Sequence, residues 1–307
     1  MEKRKIGSLE VSVVGLVCNN FGWRTGKEAT QAVMDAAIDA GINFFDTADM
    51  YDTGESEEFM GRAIGGRRKN LVLATKFGFS MGEGKSGASP AYVRAAADAS
   101  LKRLKTDVID LLYIHTPDPA TPIGDTLEAL NGLVKAGKVR EIGCSNFSAD
   151  QLREAQTATR SGAARFVCLQ NEYSLINRGP EADVLPECSR QGMAFVPYFP
   201  LANGLLSGKY RKGHPLPENS RGKDAWGPSV FTDRNLDLVE DLIQFTEKHG
   251  RTLLELAVSW LACQPNVPSV IAGAKTTEQV KANAAAGGWK LSKTELQDVD
   301  SILMQAV

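Results

Sequence analysis

Asp46, Tyr51, Lys76 and His115 each stand where a run of apolar residues ends. Ile42, Phe44 and Phe45 lead into Asp46 and on to Tyr51, residues 71–75 lead into Lys76, and residues 108–114 lead into His115. The four residue types fit one chemistry, proton donation by a phenol. A phenol has an ordinary pKa of about 10, so it donates usefully at neutral pH only beside a cation that stabilises the phenolate. Lys76 is the candidate cation, Asp46 the carboxylate that holds and balances it, and His115 the group that orients a carbonyl oxygen.

Taken singly, each residue also has an ordinary reading. Tyr51 fits a loop tyrosine, Lys76 a solvated strand end, and His115 a cap before the turn at 116–119. What joins them is the set of elements that must carry them. Short apolar runs alternate with helical patterns along most of the chain, the mark of strand–helix units and a parallel sheet. The runs predict eight strands, at 14–18, 44–47, 71–76, 109–115, 141–145, 166–170, 194–197 and 269–272. Helix starts are marked by Ser89 before Pro90 and by capping-box spacings at Ser148/Gln151, Thr252/Glu255 and Ser292/Glu295.

Eight such units predict an α/β fold, a (β/α)8 TIM barrel formed by residues 1–307 as one domain. Residues 3–14 alternate around Gly7 as an N-terminal β-hairpin, and helices are added at the C-terminus. A doubly wound open sheet is the competing fold, but residues 15–23 lack its glycine-rich phosphate turn. In a barrel, residues at the C-terminal strand ends converge on one mouth, and Asp46, Lys76, His115, Ser145, Gln170 and Tyr198 follow one another at intervals of about 25 to 40 positions, one unit each. The stretch 201–234, rich in Gly, Pro and charge, is longer than an ordinary connection and reads as a functional loop.

Composition narrows the function classes. The chain has 307 residues, 43% hydrophobic, with a formal net charge of -2 and a pI near 6.0. That balance gives no general attraction to nucleic acid or to an anionic membrane. No run is long enough to span a bilayer, and the N-terminus lacks the apolar core of a secretory signal, so a cytoplasmic location is expected. The five cysteines, at 18, 144, 168, 188 and 263, are scattered and read as reduced thiols. Histidines occur only at 115, 214 and 249, without metal-ligand spacing, so no metal is expected.

The run 41–51 (GINFFDTADMY), the run 74–78 (ATKFG) with Ile114 and His115, and the run 137–147 (GKVREIGCSNF) resemble the signature motifs of the aldo-keto reductase superfamily, and the likeness extends over nearly the whole chain. The resemblance implies reversible hydride transfer between a nicotinamide cofactor and an aldehyde or ketone. Tyr51 would protonate the developing alkoxide, Lys76 paired with Asp46 would make the phenol acidic, and His115 would hold the carbonyl oxygen.

It also implies a cofactor site. Ser145, Asn146 and Gln170 would bind the carboxamide, Tyr198 would stack under the ring, and Asn19 would neighbour the nicotinamide. The loop holding Phe199, Pro200, Leu201, Ala202, Gly204 and Lys209, with Arg221 beyond it, would fold over the pyrophosphate. In the loop after strand eight, at Gly273, Lys275 is the candidate for the adenosine 2′-phosphate, with Gln279 and Asn283 toward the adenosine. Thr276 and Gln279 also have capping-box spacing. Other branches of the superfamily carry a lysine where this chain has Gly273 and an arginine where it has Gln279, so phosphate recognition is thinner here. NADPH is expected, with NADH the less favoured cofactor. Ala272 stands where proline is common, Ala282 where an acidic residue is, and Val17 and Cys18 replace a frequent Gly and Thr.

The expected partner is a small-molecule carbonyl substrate, entering an apolar mouth shaped by Trp23, Tyr51, Phe79, Trp226 and Phe231. The sequence leaves its oligomeric state open. Two other classes remain. One is a cofactor-bound redox sensor or regulatory subunit with little turnover, a role that related barrels fill, and the other an open-sheet binding protein without chemistry.

Overall fold

The computed structural model describes residues 1–217, 221–223 and 227–305. The chain opens with a two-stranded antiparallel hairpin, β1 (Lys3–Ile6) and β2 (Leu9–Ser12), in which Ile6 pairs with Leu9 across the turn Gly7–Ser8. Gly7 sits at φ 55°, a left-handed geometry that glycine adopts without the penalty of a Cβ.

Eight parallel strands follow: β3 (Val14–Val17), β4 (Phe44–Asp46), β5 (Val72–Phe77), β6 (Ile109–Ile114), β7 (Val139–Ser145), β8 (Phe166–Glu172), β9 (Ala194–Tyr198) and β10 (Val270–Gly273). They pair in sequence order from β3 to β9, and β10 pairs with β3. β9 and β10 lie against each other, so the sheet curls into a nearly closed (β/α)8 barrel. All eight predicted strands are present, with ends shifted by a residue or two.

The flanking helices are α1 (Lys27–Asp39), α2 (Glu55–Ile64), α3 (Pro90–Leu104), α4 (Ile123–Lys135), α5 (Ala149–Ala158), α6 (Val184–Gln191), α7 (Gly227–Val230), α8 (Asp233–Lys248), α9 (Leu253–Ala262), α10 (Thr277–Ala286) and α11 (Lys293–Gln305). The predicted start signals operate. Full capping boxes form at Ser148/Gln151 and Thr252/Glu255, Ser89 caps α3, and Ser292 exchanges hydrogen bonds with Glu295 at the start of α11. Among the described residues, no helix is long and apolar enough to cross a membrane.

The period of two along each strand divides the core into two layers. Phe45, Leu73, Leu112, Leu169 and Phe195 pack outward under the helices, whereas Phe44, Val72, Ala74, Leu111, Tyr113, Cys168, Val196 and Ile271 cluster inside the barrel. Ile6, Leu9 and Val11 of the hairpin belong to the inner cluster, so the hairpin stoppers the N-terminal end. The same parity carries Asp46, Lys76, His115, Gln170 and Tyr198 along the inward rows to the opposite end.

Because Ile6 is fully buried among these inward side chains, Ile6→Ala is expected to cost about 2–5 kcal/mol in urea unfolding. A loss below about 1 kcal/mol would show that the stopper is not packed into the barrel.

Candidate active site

Lys76 lies near the C-terminal end of β5 and Asp46 ends β4, both completely buried. The Lys76 ammonium donates to Asp46 Oδ1 and to the Thr47 carbonyl at 2.8 Å, and its Nζ is 3.5 Å from the Tyr51 hydroxyl. Asp46 Oδ2 accepts from Gln170 Nε2 at 3.0 Å, so an amide on β8 reaches across to the carboxylate on β4. A buried charge is costly unless paired and hydrogen-bonded, and here each carboxylate oxygen has a donor and the ammonium has acceptors. Burial alone would weaken the ammonium, but Asp46 and Tyr51 outweigh it and the Lys76 pKa ends above its ordinary value.

Tyr51 opens the tight turn Tyr51–Gly54 that leads from β4 to α2, in which Asp52, Thr53 and Gly54 adopt positive φ. Burial of its hydroxyl raises the phenol above its ordinary pKa, and Lys76 offsets only part of that rise. Lys76 lowers the phenol as the sequence suggests, but desolvation is the larger effect on the resting hydroxyl.

His115 follows β6, and its imidazole is pushed down to about 2 by burial and then by the Lys76 charge. It is a neutral ring at any working pH. Its Nδ1 is buried without a partner among the described residues, and the ring meets Phe79 edge-on at 4.7 Å and Tyr51 at 6.0 Å between centroids. A neutral imidazole carries one N–H, so it can donate to a carbonyl oxygen without adding charge.

The expected carboxamide set forms one hydrogen-bonded chain beside these residues. Asn146 Nδ2 donates to the His115 carbonyl at 3.0 Å, Tyr198 OH donates to Asn146 Oδ1 at 2.9 Å, and Ser145 Oγ donates to the Gln170 carbonyl at 2.7 Å. Asn146 adopts φ 62°, a left-handed geometry that Asn tolerates better than most residues. The bond from Gln170 Nε2 to Asp46 commits one of its amide hydrogens within the protein.

A cavity of about 320 Å³ lies between the loops that follow β3, β9 and β10. Asn19, Phe199, Pro200, Leu201, Gly204, Lys209, Gly273, Lys275, Gln279 and Asn283 line it, together with Asn203 and Ser207 of the same loop after β9. Ala202 is buried beneath this loop, in which Phe199, Ala202 and Asn203 all adopt positive φ. Such geometry in non-glycine residues costs energy that the surrounding structure must hold.

Two expected adenosine contacts are tied down locally. Gln279 Oε1 accepts from the Lys275 amide at 2.7 Å, and Asn283 Nδ2 donates to the Gly273 carbonyl at 3.3 Å. The Arg221 side chain and Trp226 lie outside the described residues. Trp23 and Phe79 are 64% and 38% exposed, while Phe231 turns away to pack on Tyr210 at 4.6 Å.

The cavity suits a dinucleotide. Asn19 Oδ1 and Ser207 Oγ are buried polar atoms without a partner among the described residues, and Lys209 and Lys275 supply cationic side chains along its wall. A parallel barrel whose inward rows end in a buried ammonium beside a phenol and a neutral imidazole, next to such a cavity, describes an NAD(P)H-dependent oxidoreductase. A family model, that of the Aldo/keto reductase family, matches residues 14–304, and the chain belongs to that family.

Among curated relatives, a "Probable voltage-gated potassium channel subunit beta" of Oryza sativa subsp. japonica is 36% identical over 277 residues, covering 87% of this chain and 84% of the relative. "Aldo-keto reductase yakc [NADP(+)]" of Schizosaccharomyces pombe is 34% identical over 308 residues, covering 96% and 89%. "L-glyceraldehyde 3-phosphate reductase" of Escherichia coli K12 is 32% identical over 298 residues, covering 92% and 86%.

The state of His115 has a consequence for stability. An unfolded histidine takes up a proton below a pH of about 6.5, whereas the folded imidazole does so only at about 2. Its folded pKa is depressed, so the unfolded state binds the extra proton in that window and stability is lost as the pH drops, by about 1.4 kcal/mol per unit from this group. His115→Asn is expected to lose about 2 kcal/mol less than the natural chain between pH 7 and pH 5 in chemical denaturation. Equal acid losses would show that the ring is not held neutral.

Proposed function

We infer that the protein reduces an aldehyde or ketone with NADPH, reversibly, with Tyr51 as the proton donor. The observation that carries this reading is the buried Lys76 ammonium, locked to Asp46 and 3.5 Å from the Tyr51 hydroxyl. When bound, the nicotinamide supplies the hydride. Tyr51 gives its proton to the oxygen that was the carbonyl, and Lys76 stabilises the phenolate left behind. The Lys76 charge matters most at that moment, because the phenol starts neutral and acquires charge only as the proton leaves. His115, neutral throughout, orients the carbonyl oxygen by hydrogen bonding, and Asp46 keeps the lysine in place.

Ser145, Asn146 and Gln170 are the carboxamide partners in this reading and Tyr198 the stacking ring. Lys209 and Lys275 meet phosphate, which favours NADPH over NADH, and the fission-yeast relative carries NADP(+) in its name. The exposed Trp23 and Phe79 offer the substrate an apolar approach. Five free thiols, four of them buried, fit a reducing compartment such as the cytoplasm.

A second reading, a cofactor-bound redox sensor or regulatory subunit, draws on the 36% identity to a probable channel subunit. Turnover separates the two. Loss of NADPH absorbance with a panel of aldehydes is expected to be fast, and Tyr51→Phe should lower kcat by about 10²–10⁴-fold while NADPH binding, followed by fluorescence, is kept. Unchanged turnover in Tyr51→Phe would refute the proton-donor role, and tight NADPH retention with negligible turnover in the natural chain would favour the sensor. Lys275→Met is expected to weaken NADPH on the order of tenfold and NADH little. Equal losses would remove Lys275 from phosphate recognition.

A further inference from the structure

Between Asp46 and Tyr51 lies a second acidic residue, Asp49, with 1% exposure. Its backbone N–H donates to the Lys76 carbonyl at 3.0 Å, which fixes it to the same strand that bears the ammonium. Its Oδ1 is buried and has no hydrogen-bond partner among the described residues.

The groups facing Asp49 come from three other elements. Glu57 on α2 is fully buried, with Oε1 accepting from Thr75 Oγ1 at 2.6 Å and Oε2 from Arg103 Nε of α3 at 2.6 Å. Arg103 of α3 and Lys76 of β5 also act on Asp49 electrostatically, and Asp49 in turn raises the Tyr92 phenol of α3. Counting charge gives three carboxyls, Asp46, Asp49 and Glu57, against two cations, Lys76 and Arg103. One proton makes the buried group neutral. Both oxygens of Asp46 and both of Glu57 already have donors, so the position that accommodates a proton is Asp49. The Lys76 charge reaches Asp49, though less strongly than Glu57 or Arg103 does.

We propose that Asp49 is a positioning residue for the reaction, whose gain and loss of a proton sets how much of the Lys76 charge acts on Tyr51. This rests on Tyr51 being the proton donor. With Asp49 neutral, the buried group carries no net charge and the ammonium favours a departing phenol proton. With Asp49 ionised, the group is negative by one and the phenol holds its proton more tightly. Burial and then the like charge of Glu57 push the Asp49 carboxyl up to about 7, with Met50, Arg103 and Lys76 pulling it back, so the change falls in the neutral range. Carbonyl reduction is therefore faster below that pH and slower above it.

The test measures single-turnover carbonyl reduction from pH 6 to pH 8 in the natural chain and in Asp49→Asn, whose amide has nearly the same shape and no charge. The natural chain is expected to slow several-fold across this range, with substrate KM little moved, and D49N to stay at the faster, low-pH level throughout. An inflection of equal size in D49N overturns the proposal, since a purely structural role for Asp49 leaves the pH profile where it was.

Difference infrared spectroscopy of the carboxyl carbonyl stretch reads the proton without turnover. A protonated carboxyl titrating near neutrality is expected in the natural chain and in Tyr51→Phe, absent in D49N, and moved to lower pH in Glu57→Gln. Absence of that band from the natural chain overturns the proposal even where D49N fails to fold. Full activity in Tyr51→Phe with the band intact overturns the proton-donor reading instead, and with it the link from Asp49 to the rate.

Discussion

A fully buried ammonium is among the least favourable things a chain can fold around, and Lys76 is placed where its neighbours must compensate for it completely. Asp46 supplies the counter-charge, Thr47 a carbonyl, and Gln170 the donor that keeps Asp46 aligned. These partners arrive on β4, on the residue after it, and on β8, so the arrangement exists only once the sheet has curled. Folding and site assembly are thus the same event here. A stray lysine at that depth would instead shed its proton.

Much of this was legible in the sequence, for two physical reasons. Strand parity is a local property, and a polar residue at the end of an apolar run of the right phase must emerge at the mouth, which is how Asp46, Lys76, His115 and Gln170 came to be expected there. Capping boxes are also local, and those at Ser148 and Thr252 form as spaced. Effects set by depth were not legible. The rise of the Tyr51 phenol depends on how far its hydroxyl is removed from water, which no motif encodes.

The same holds for residues joined by helix packing. Asp49, Glu57 and Arg103 are ordinary charged residues along the chain, and only the packing of α2 against α3 and β5 brings them into one buried set. Gln279 and Asn283 show the reverse case. Their expected reach toward adenosine is limited by bonds to Lys275 and Gly273, formed by the turn that the loop after β10 takes. Thr276 at the start of α10 accepts from the Gln279 amide, as the cap spacing implied, while the Gln279 side chain bonds elsewhere.

The split between strand-borne and loop-borne residues bears on how such a protein diversifies. The hydrogen-bonded set Asp46, Lys76 and Gln170 is fastened to the staves of the barrel, whereas Trp23 and Phe79 hang from the ribbons that join staves to helices. Ribbons tolerate insertion and exchange far better than staves do. Descendants of one ancestor can therefore acquire new molecular tastes by rewriting the ribbons, while inheriting the reaction itself unaltered.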